Sequence, residues 1–277
     1  MRFHKMHGAG NDYIYVDARQ GKEVIENPSE VSIRVSDRHF GIGSDGLVLI
    51  MDSEVADYRM RMFNADGSEA GMCGNASRCV GKYLYDLGIT QKEEIALETK
   101  SGIKYLKLIL GEREVSRVVV DMDEPRLAPA EIPMVGETAR QVVISNEYGN
   151  YVATCVSMGN PHAVIFVDDV ANFPVEVVGR AIEIDPLFPE HTNVEFVEVV
   201  SDDHLKMRVW ERGSGETLAC GTGACASLVA SHLEGVSGRA ARIELLGGEV
   251  EVTWDEATNR VSLAGPAEWV FEGEYYI

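Results

Sequence analysis

The two halves of this 277-residue chain resemble each other. A shift of 147 residues places MRMFNADGSEAGMCGN, from Met60, over MRVWERGSGETLACGT, from Met207, without a gap. Cys73 coincides with Cys220, and a glycine follows each of them. Because an internal repeat reflects a repeated structural unit, the chain is predicted to fold as two similar domains.

The segments around each Cys-Gly step follow the same order. HGAGNDYIYVD (7–17) and SMGNPHAVIFVDD (157–169) each join a Gly-Asn loop to a strand-like run, and helical segments at 76–88 and 223–235 end at a glycine. Further strand-like runs occupy 47–51, 116–122, 140–146 and 193–200. With one prominent helix per half, we predict an α+β fold of two pseudo-symmetric domains, each a mixed, curled and barrel-like β-sheet around a central helix.

The domain boundary is predicted from two features. PRLAPAEIP (125–133) contains three prolines and suits a crossing, and the aromatic-rich tail AEWVFEGEYYI suits a segment that returns to the first domain. We therefore assign residues 1–122 plus 267–277 to the half with Cys73 and residues 123–266 to the half with Cys220. An interdomain cleft, a common place for a ligand site, would receive both thiols.

Composition excludes several functions. The net charge is −20 and the pI about 4.7, so the basic surface that binds nucleic acid or anionic lipid is missing. We see no secretion signal and no run of about 20 apolar residues, so we expect a cytoplasmic protein. Five cysteines, an odd number, fit a reducing compartment. The seven histidines show no metal-ligand spacing, and we predict no metal.

Cys73 and Cys220 each precede a predicted helix. A helix N-terminus binds a carboxylate and favours thiolate over thiol. Two thiols on opposite faces of a carbon acid could invert its configuration, because one removes the proton while the other supplies one. The reverse reaction exchanges their roles, which suits a matched pair from a duplicated chain.

Other interpretations of the cysteines and glycines are weaker. Cys79, Cys155 and Cys225 fall at non-equivalent positions and are predicted to pack in the cores. A four-cysteine zinc site fits poorly, because the spacings C-x5-C and C-x4-C differ from zinc knuckles. GIGSDG (41–46) matches the dinucleotide pattern G-x-G-x-x-G, but a helical segment precedes it and a strand follows, the reverse of the required order. We interpret it as a loop.

Several motifs along the chain are similar to those of the diaminopimelate epimerases. They are KMHGAGNDY, RHFGIGSDGL, FNADGSEAGMCGN, SMGNPH, TNVEFVEV and WERGSGETLACGTGAC. This resemblance implies a homodimeric, cofactor-independent isomerase. It would interconvert L,L- and meso-diaminopimelate by two-base thiolate/thiol proton transfer, in the formation of lysine and peptidoglycan precursors.

The resemblance also implies roles for individual residues. Cys73 and Cys220 would be the acid/base pair, with His162 and Glu211 tuning their protonation. The backbone amides of Gly74, Asn75, Gly221 and Thr222 would hold the reacting carboxylate. The remaining substrate contacts would come from Asn11, Asn64, Asn160, Asn193, Glu211 and Arg212.

Three positions depart from the family pattern. Gly46 stands where some members carry a substrate-contacting Gln, so that side-chain contact is absent. Ala76-Ser77 follows CGN where Gly and an apolar residue are frequent, a change that the helix should tolerate. Phe271 replaces a Tyr of the dimer interface, which removes one hydrogen bond without preventing dimerisation.

Differences between the repeats predict where specificity lies. The 147-residue offset pairs Asn64 with Glu211, and Ala65 with Arg212. An arginine can bind a second carboxylate through two parallel hydrogen bonds, and proline has no such group. This argues against a proline or hydroxyproline racemase, the second enzyme hypothesis.

Alternatives remain open for single residues and for the function. Arg212 could be a surface charge, His162 could satisfy a loop hydrogen bond, and Asn11, Asn160 and Asn193 could be turn residues. A non-catalytic protein whose two thiols report redox state is the third functional hypothesis.

Overall fold

The computed structural model describes residues Met1–Tyr276, so Ile277, the last residue of the predicted returning segment, lies outside the described residues. The chain divides into two compact units, Met1–Asp121 with Ala264–Ile277, and Met122–Leu263. Four α-helices of nine or thirteen residues and many more strands give an α+β fold, as predicted.

The elements follow one another in the same order in both halves. The first half contains β1 (Arg2–Gly8), β2 (Asn11–Asp17), α1 (Pro28–Ser36), β3 (Gly46–Met51), β4 (Tyr58–Asn64), β5 (Glu69–Ala70), α2 (Gly74–Asp86), β6 (Glu94–Thr99), β7 (Gly102–Leu110) and β8 (Val115–Asp121). The second contains β9 (Val142–Asn146), β10 (Gly149–Ser157), β11 (Pro161–Phe166), α3 (Val175–Glu183), β12 (Asn193–Ser201), β13 (His204–Glu211), β14 (Gly215–Thr217), α4 (Gly221–Leu233), β15 (Ala240–Leu245), β16 (Gly248–Trp254) and β17 (Val261–Gly265). The chain ends with β18 (Glu268–Glu274), and short 3-10 turns lie at Arg19–Gly21 and Pro129–Glu131.

The first unit is a mixed sheet built around two crossovers. β18, β1 and β2 pair antiparallel, and α1 connects the parallel pair β2–β3. β3 and β4 pair antiparallel, and α2 connects the parallel pair β4–β6, after which β6, β7 and β8 form an antiparallel meander. The helices are required here because parallel neighbours need a long connection.

The second unit repeats this pairing. β9, β10 and β11 pair antiparallel, α3 connects the parallel pair β11–β12, and β12 pairs antiparallel with β13. α4 then connects the parallel pair β13–β15, which continues into β16. The predicted repeat is therefore confirmed strand by strand. The sheet is not closed into a barrel, so the barrel-like description holds only loosely.

Each unit packs its longer helix against its own strands. In α2 eleven of thirteen residues are buried, and the helix contacts β1, β7 and β8. α4 contacts β10, β11 and β16. Both helices stop where predicted, because Gly88 and Gly235 follow them with φ of 67° and 74°, a conformation that favours glycine.

Each unit also contains a second, shorter helix: α1 lies in the segment predicted to be helical before GIGSDG, whereas α3 is not among the predicted helices. α1 and α3 have nine residues each. In α3 the buried side chains of Val175, Val178 and Ile182 recur with helical spacing. This helix has only nine residues, although its apolar residues follow the helical period.

The C-terminal segment completes the first sheet. β18 pairs antiparallel with β1, and the Phe271 ring contacts Phe3 edge to face with centroids 5.8 Å apart. Phe271 remains about half exposed, at 47%. In the part of the chain that the structure describes, no helix has the length and apolar character of a bilayer crossing.

Candidate active site

Cys73 lies immediately before α2, in extended backbone with φ −138° and ψ 123°. Its carbonyl accepts the first helical hydrogen bond, from Ser77 N at 2.9 Å. The thiol Sγ lies 3.5 Å from Asn11 Oδ1, which also accepts from Asn75 Nδ2 at 3.1 Å. Thus Asn11, one of the predicted substrate-binding residues, contacts the thiol itself, while Gly74 begins α2.

A charged group that sequence reasoning missed orients Asn11. This group is Asp45: the Asn11 Nδ2 donates to Asp45 Oδ2 at 2.7 Å, and Arg38 donates to the other oxygen of Asp45 at 2.9 Å. Burial raises the pKa of Asp45, and the neighbouring carboxylate of Asp12 raises it further. Because Asp45 takes the amide nitrogen, the amide oxygen of Asn11 is directed toward Cys73. The GIGSDG segment that contains Asp45 is a loop between α1 and β3, as predicted.

Gly46 shows why this chain lacks a side chain there. A Cβ at this position would lie 2.1 Å from the carbonyl oxygen of Phe63 on the paired strand. Gly46 and Asn64 are opposite each other in the β3–β4 ladder. The backbones therefore approach too closely for a side chain to fit at position 46 without a shift of β4. Asn64 instead donates from Nδ2 to Ser68 Oγ at 3.0 Å.

Gly46→Ala should destabilise the protein. Overpacking of this kind lowers the free energy of unfolding by about 2 kcal/mol. For a chain of this size, each kcal/mol lowers the Tm by about 2–4 °C, so we expect a Tm about 4–8 °C lower. The control is Gly238→Ala, where a Cβ would meet nothing closer than 3.9 Å. Thermal unfolding followed by circular dichroism measures both variants. Equal Tm values would show that the β3–β4 approach relaxes freely.

Cys220 occupies the equivalent place before α4, with φ −115° and ψ 110°. Its sulfur accepts a hydrogen bond from Gly223 N at 3.3 Å and lies 3.5 Å from Thr222 Oγ1. The residue is 6% exposed. Gly221 and Thr222 form the start of α4, as Gly74 and Asn75 form the start of α2. Amides at this position have no acceptor within their helix and are suited to binding a carboxylate.

Carboxyl groups surround Cys220. Glu211 accepts from Thr217 Oγ1 and is hydrogen-bonded to the Cys220 thiol. Burial raises the pKa of Glu211, and burial also raises the pKa of Cys220 well above its ordinary value. The charges of Glu211 and Glu195 raise the Cys220 pKa further, whereas the contacts with Thr222 and Gly223 lower it. At neutral pH the resting group at this position is therefore the thiol.

The buried His162 and the half-buried Asn160 form a hydrogen-bonded chain beside this thiol. His162 Nε2 lies 3.0 Å from Asn160 Oδ1, and Asn160 Nδ2 donates to Thr222 Oγ1 at 3.3 Å. His162 Nδ1 lies 2.7 Å from Glu195 Oε1. Glu195 is a further residue that sequence reasoning missed. Its signal in the sequence is a carboxylate between Val194 and Phe196, in the part of β12 that is buried on both faces.

The predicted substrate residues Asn193 and Arg212 lie where β11, β12 and β13 meet. Asn193 is buried, accepts from Arg212 N at 2.9 Å and donates to the Pro161 carbonyl at 2.9 Å. Both ends of its amide therefore bind backbone. The Arg212 side chain is exposed and donates from Nη1 to the Glu190 carbonyl at 2.9 Å.

The remaining cysteines pack in the cores. Cys79, Cys155 and Cys225 are at most 1% exposed. Burial raises the pKa of Cys79 to about 11 and that of Cys155 to about 12. Within Met1–Tyr276, no three His, Cys, Asp or Glu side chains are grouped as around a metal ion.

Solved structures share this fold at low sequence identity. A PhzF-family phenazine biosynthesis protein from Bacillus anthracis matches with a TM-score of 0.70 and 19% identity, covering 100% of this chain and 98% of that one. A probable proline racemase from Agrobacterium radiobacter K84 matches with a TM-score of 0.71 and 16% identity, covering 100% and 93%. These two proteins therefore share the fold of this chain.

Comparison of the sequence with known families and proteins identifies the family of this chain. The diaminopimelate epimerase family profile matches residues 3–128 and 154–270. The diaminopimelate epimerase of Acetivibrio thermocellus is 59% identical over 276 residues, covering 99% of this chain and 98% of the relative. Those of Methanococcus maripaludis strain C6 and Desulfovibrio desulfuricans are 56% identical (99% of both chains) and 53% identical (100% of this chain, 99% of the relative).

The chain belongs to the diaminopimelate epimerase family. The predicted resemblance is confirmed, and the chain is an epimerase. The third hypothesis, a non-catalytic redox-reporting protein, is therefore wrong.

Proposed function

We propose that this protein interconverts L,L-diaminopimelate and meso-diaminopimelate, with Cys73 and Cys220 as the acid/base pair at one α-carbon. The observation that carries the proposal is the equivalence of the two thiols. Each is the residue before the helix of a parallel crossover, β4–α2–β6 in one unit and β13–α4–β15 in the other. Each sulfur also contacts polar groups of its own unit.

In the proposed reaction, the α-carbon of the substrate loses one proton from one face and gains one proton on the opposite face. The thiolate of one cysteine takes the α-proton, and the thiol of the other delivers its proton to the opposite face of the carbanion. The reverse reaction exchanges the roles, and solvent restores the thiolate and thiol. No electrons leave the substrate, so this proposal includes no cofactor. It requires that both thiols reach the same carbon.

The helix starts supply the first anchor for the substrate. Amides of Gly74 and Asn75, or of Gly221 and Thr222, would bind the reacting carboxylate, since helix N-termini favour anions. Negative charge that develops on this carboxylate as the α-proton leaves is stabilised by the same amides. The amino-acid group that does not react would contact Asn11, Asn64, Asn160, Asn193 and Arg212.

Acid/base tuning is assigned to His162 and Glu211. Glu211 is hydrogen-bonded to the Cys220 thiol, and its raised pKa brings its proton affinity closer to that of a thiol. It can therefore receive the proton of Cys220 when this cysteine acts as base. Glu211 stands in the second unit where Asn64 stands in the first, so this aid is specific to one of the two thiols.

The wider setting follows from the proposed reaction. In the proposed setting, the reaction belongs to the formation of lysine and peptidoglycan precursors in the cytoplasm. The proposal therefore places this chain there, as a homodimer. A proline or hydroxyproline racemase remains the second candidate because such proteins share the fold.

The test is proton NMR of the purified enzyme in D2O with a panel of amino acids and no pyridoxal phosphate. Deuterium should enter the α-position of diaminopimelate and of neither proline nor trans-4-hydroxyproline. The Cys73→Ala variant serves as the control for contaminating racemases. Deuterium in proline alone would replace the proposal with the racemase, and deuterium in none of them would refute it.

A further inference from the structure

A chain of five polar side chains runs through the second unit to the Cys220 sulfur. From its buried end the chain contains Glu195, His162, Asn160, Thr222 and Cys220. The successive heavy-atom distances are 2.7, 3.0, 3.3 and 3.5 Å. We call it the Glu195 chain.

The partners fix the direction of each hydrogen bond. Asn160 Nδ2 donates to Thr222 Oγ1, so Asn160 presents its carbonyl oxygen to His162 Nε2. An amide oxygen only accepts, so Nε2 must carry a hydrogen. An ionised Glu195 only accepts, and with Glu195 in that form Nδ1 carries a hydrogen as well. His162 is then an imidazolium with both ring nitrogens donating.

Burial makes Glu195 and His162 each other's main electrostatic partner. His162 and Glu195 are both 0% exposed, so a lone carboxylate at Glu195 would be costly. Glu195 Oε2 has no hydrogen-bond partner within the described chain, which leaves His162 as the counter-charge. The N-terminus of α4, which carries partial positive charge, also lies near this carboxyl group. A Cβ on Gly223 would lie 2.6 Å from Glu195 Oε1 and 3.2 Å from the Cys220 sulfur.

We propose that Glu195 is a positioning residue that keeps His162 doubly protonated and thereby directs the hydrogen of the Thr222 hydroxyl toward the Cys220 sulfur. Thr222 receives its hydrogen bond from Asn160, so its own hydrogen is available to the sulfur. A thiolate at Cys220 then accepts from Thr222 and from Gly223 N. The inference deepens the proposed function, and its catalytic consequence rests on that function. The hydrogen-bond directions and charges of the Glu195 chain, however, can be measured in the protein without substrate.

Three titratable groups face Cys220 or its neighbours. Glu211 on β13 and Glu195 on β12 are acidic, and His162 lies on β11. A bare carboxylate at Glu195 disfavours the thiolate, whereas an ion pair of Glu195 with His162 is nearly neutral toward it. Removal of the Glu195 charge should therefore favour the Cys220 thiolate if Glu195 is unpaired, and should disfavour it if Glu195 is paired with His162.

NMR of the wild-type protein tests the charge state directly. In protein labelled with ¹⁵N-histidine, His162 should show two protonated ring nitrogens at pH 7.5. The His162→Gln variant assigns the signals, because they disappear in it. A single protonated nitrogen on His162 would overturn the proposal. The measurement needs no variant of Glu195 that could fail to fold.

Glu195→Gln tests the consequence at Cys220. Gln keeps the shape but not the charge, so His162 loses a proton. We expect the remaining hydrogen on Nδ1, donated to the side-chain oxygen of the Gln, and the Asn160 amide then turns over to donate to Nε2. Thr222 then donates to Asn160 instead of the sulfur. Alkylation of Cys220 by iodoacetamide at pH 8, counted by peptide mass spectrometry, should slow about three- to tenfold, because hydrogen bonds to charged groups are strong. The alkylation rate of Cys73 in the same sample should stay unchanged.

The matched control is Glu244→Gln, which removes the same charge from an exposed carboxylate 3.5 Å from His204 in the same unit. It should alter neither alkylation rate. Thr222→Val cuts the last link and should slow Cys220 alkylation while His162 stays doubly protonated. Unchanged or faster alkylation of Cys220 in Glu195→Gln would overturn the proposal. A wrong substrate assignment would leave all these results intact, so the two failures are distinguishable.

Discussion

Replacement of either Cys73 or Cys220 by alanine should lower epimerisation by at least about 10³-fold, because inversion needs a base on one face and an acid on the other. Neither thiol can substitute for the other. Each precedes its own helix and contacts its own set of polar groups. The measurement is the initial rate of conversion of L,L-diaminopimelate in each variant.

Cys155→Ala is the control for loss of a thiol as such. Cys155 lies in β10 and is 1% exposed, so its variant should keep its activity per folded molecule within about threefold of the wild type. A Cys73→Ala or Cys220→Ala protein that retained more than about a tenth of wild-type turnover would contradict the two-thiol mechanism.

Arg212→Ala should lower kcat/KM for diaminopimelate about 10- to 100-fold, because hydrogen bonds to a charged group contribute about 1.5–3 kcal/mol. Arg212 is exposed, and a hydrogen bond from its Nη1 to the Glu190 carbonyl holds it at the end of β13. Arg212→Lys should restore activity only partly, since it keeps the charge and loses the planar fork. Steady-state kinetics of the three proteins measures this.

A substrate analogue without the distal carboxylate is the control for this prediction. On it, wild type and Arg212→Ala should differ little. Arg180→Ala, an exposed arginine on α3, should leave both substrates unaffected. If Arg212→Ala lost as much activity on the analogue as on diaminopimelate, Arg212 would not bind the distal group.

The order of elements was predictable because it depends on local pattern. The β-branched strands, the helices after each Cys-Gly and the glycines that end them all carry local signals. The repeat then extended each local assignment to a second copy. α3 was not predicted although its apolar residues have helical spacing, and strand pairing was not predictable because it depends on contacts between distant segments.

In the candidate site, too, some residues were predictable from the sequence and others were not. Cys73 and Cys220 could be singled out because the repeat aligns them. Asp45 and Glu195 could not, since each acts through a partner brought near by strand pairing. His162 lies opposite Asn193 in the β11–β12 ladder, and that register places the side chain of Glu195 beside the ring. A carboxylate within an apolar strand was the available clue.

Gly46 is a further instance. The sequence shows a glycine there, but only the strand register shows why, since Gly46 lies opposite Asn64 and against the Phe63 carbonyl. Local propensity carries no information on such an approach between backbones. It follows from the pairing of β3 with β4 and is therefore a tertiary property.

The most direct test of the central claim is the fate of the α-proton when wild-type enzyme converts L,L-diaminopimelate in D2O. Two thiols acting on opposite faces predict that, at early times, the meso product contains one deuterium at the inverted carbon while recovered substrate contains almost none. The isomers are separated by chromatography and their deuterium content is read by mass spectrometry. Protium retained in the product, or deuterium appearing equally fast in recovered substrate, would indicate a single base and contradict the assignment of Cys73 and Cys220 as partners.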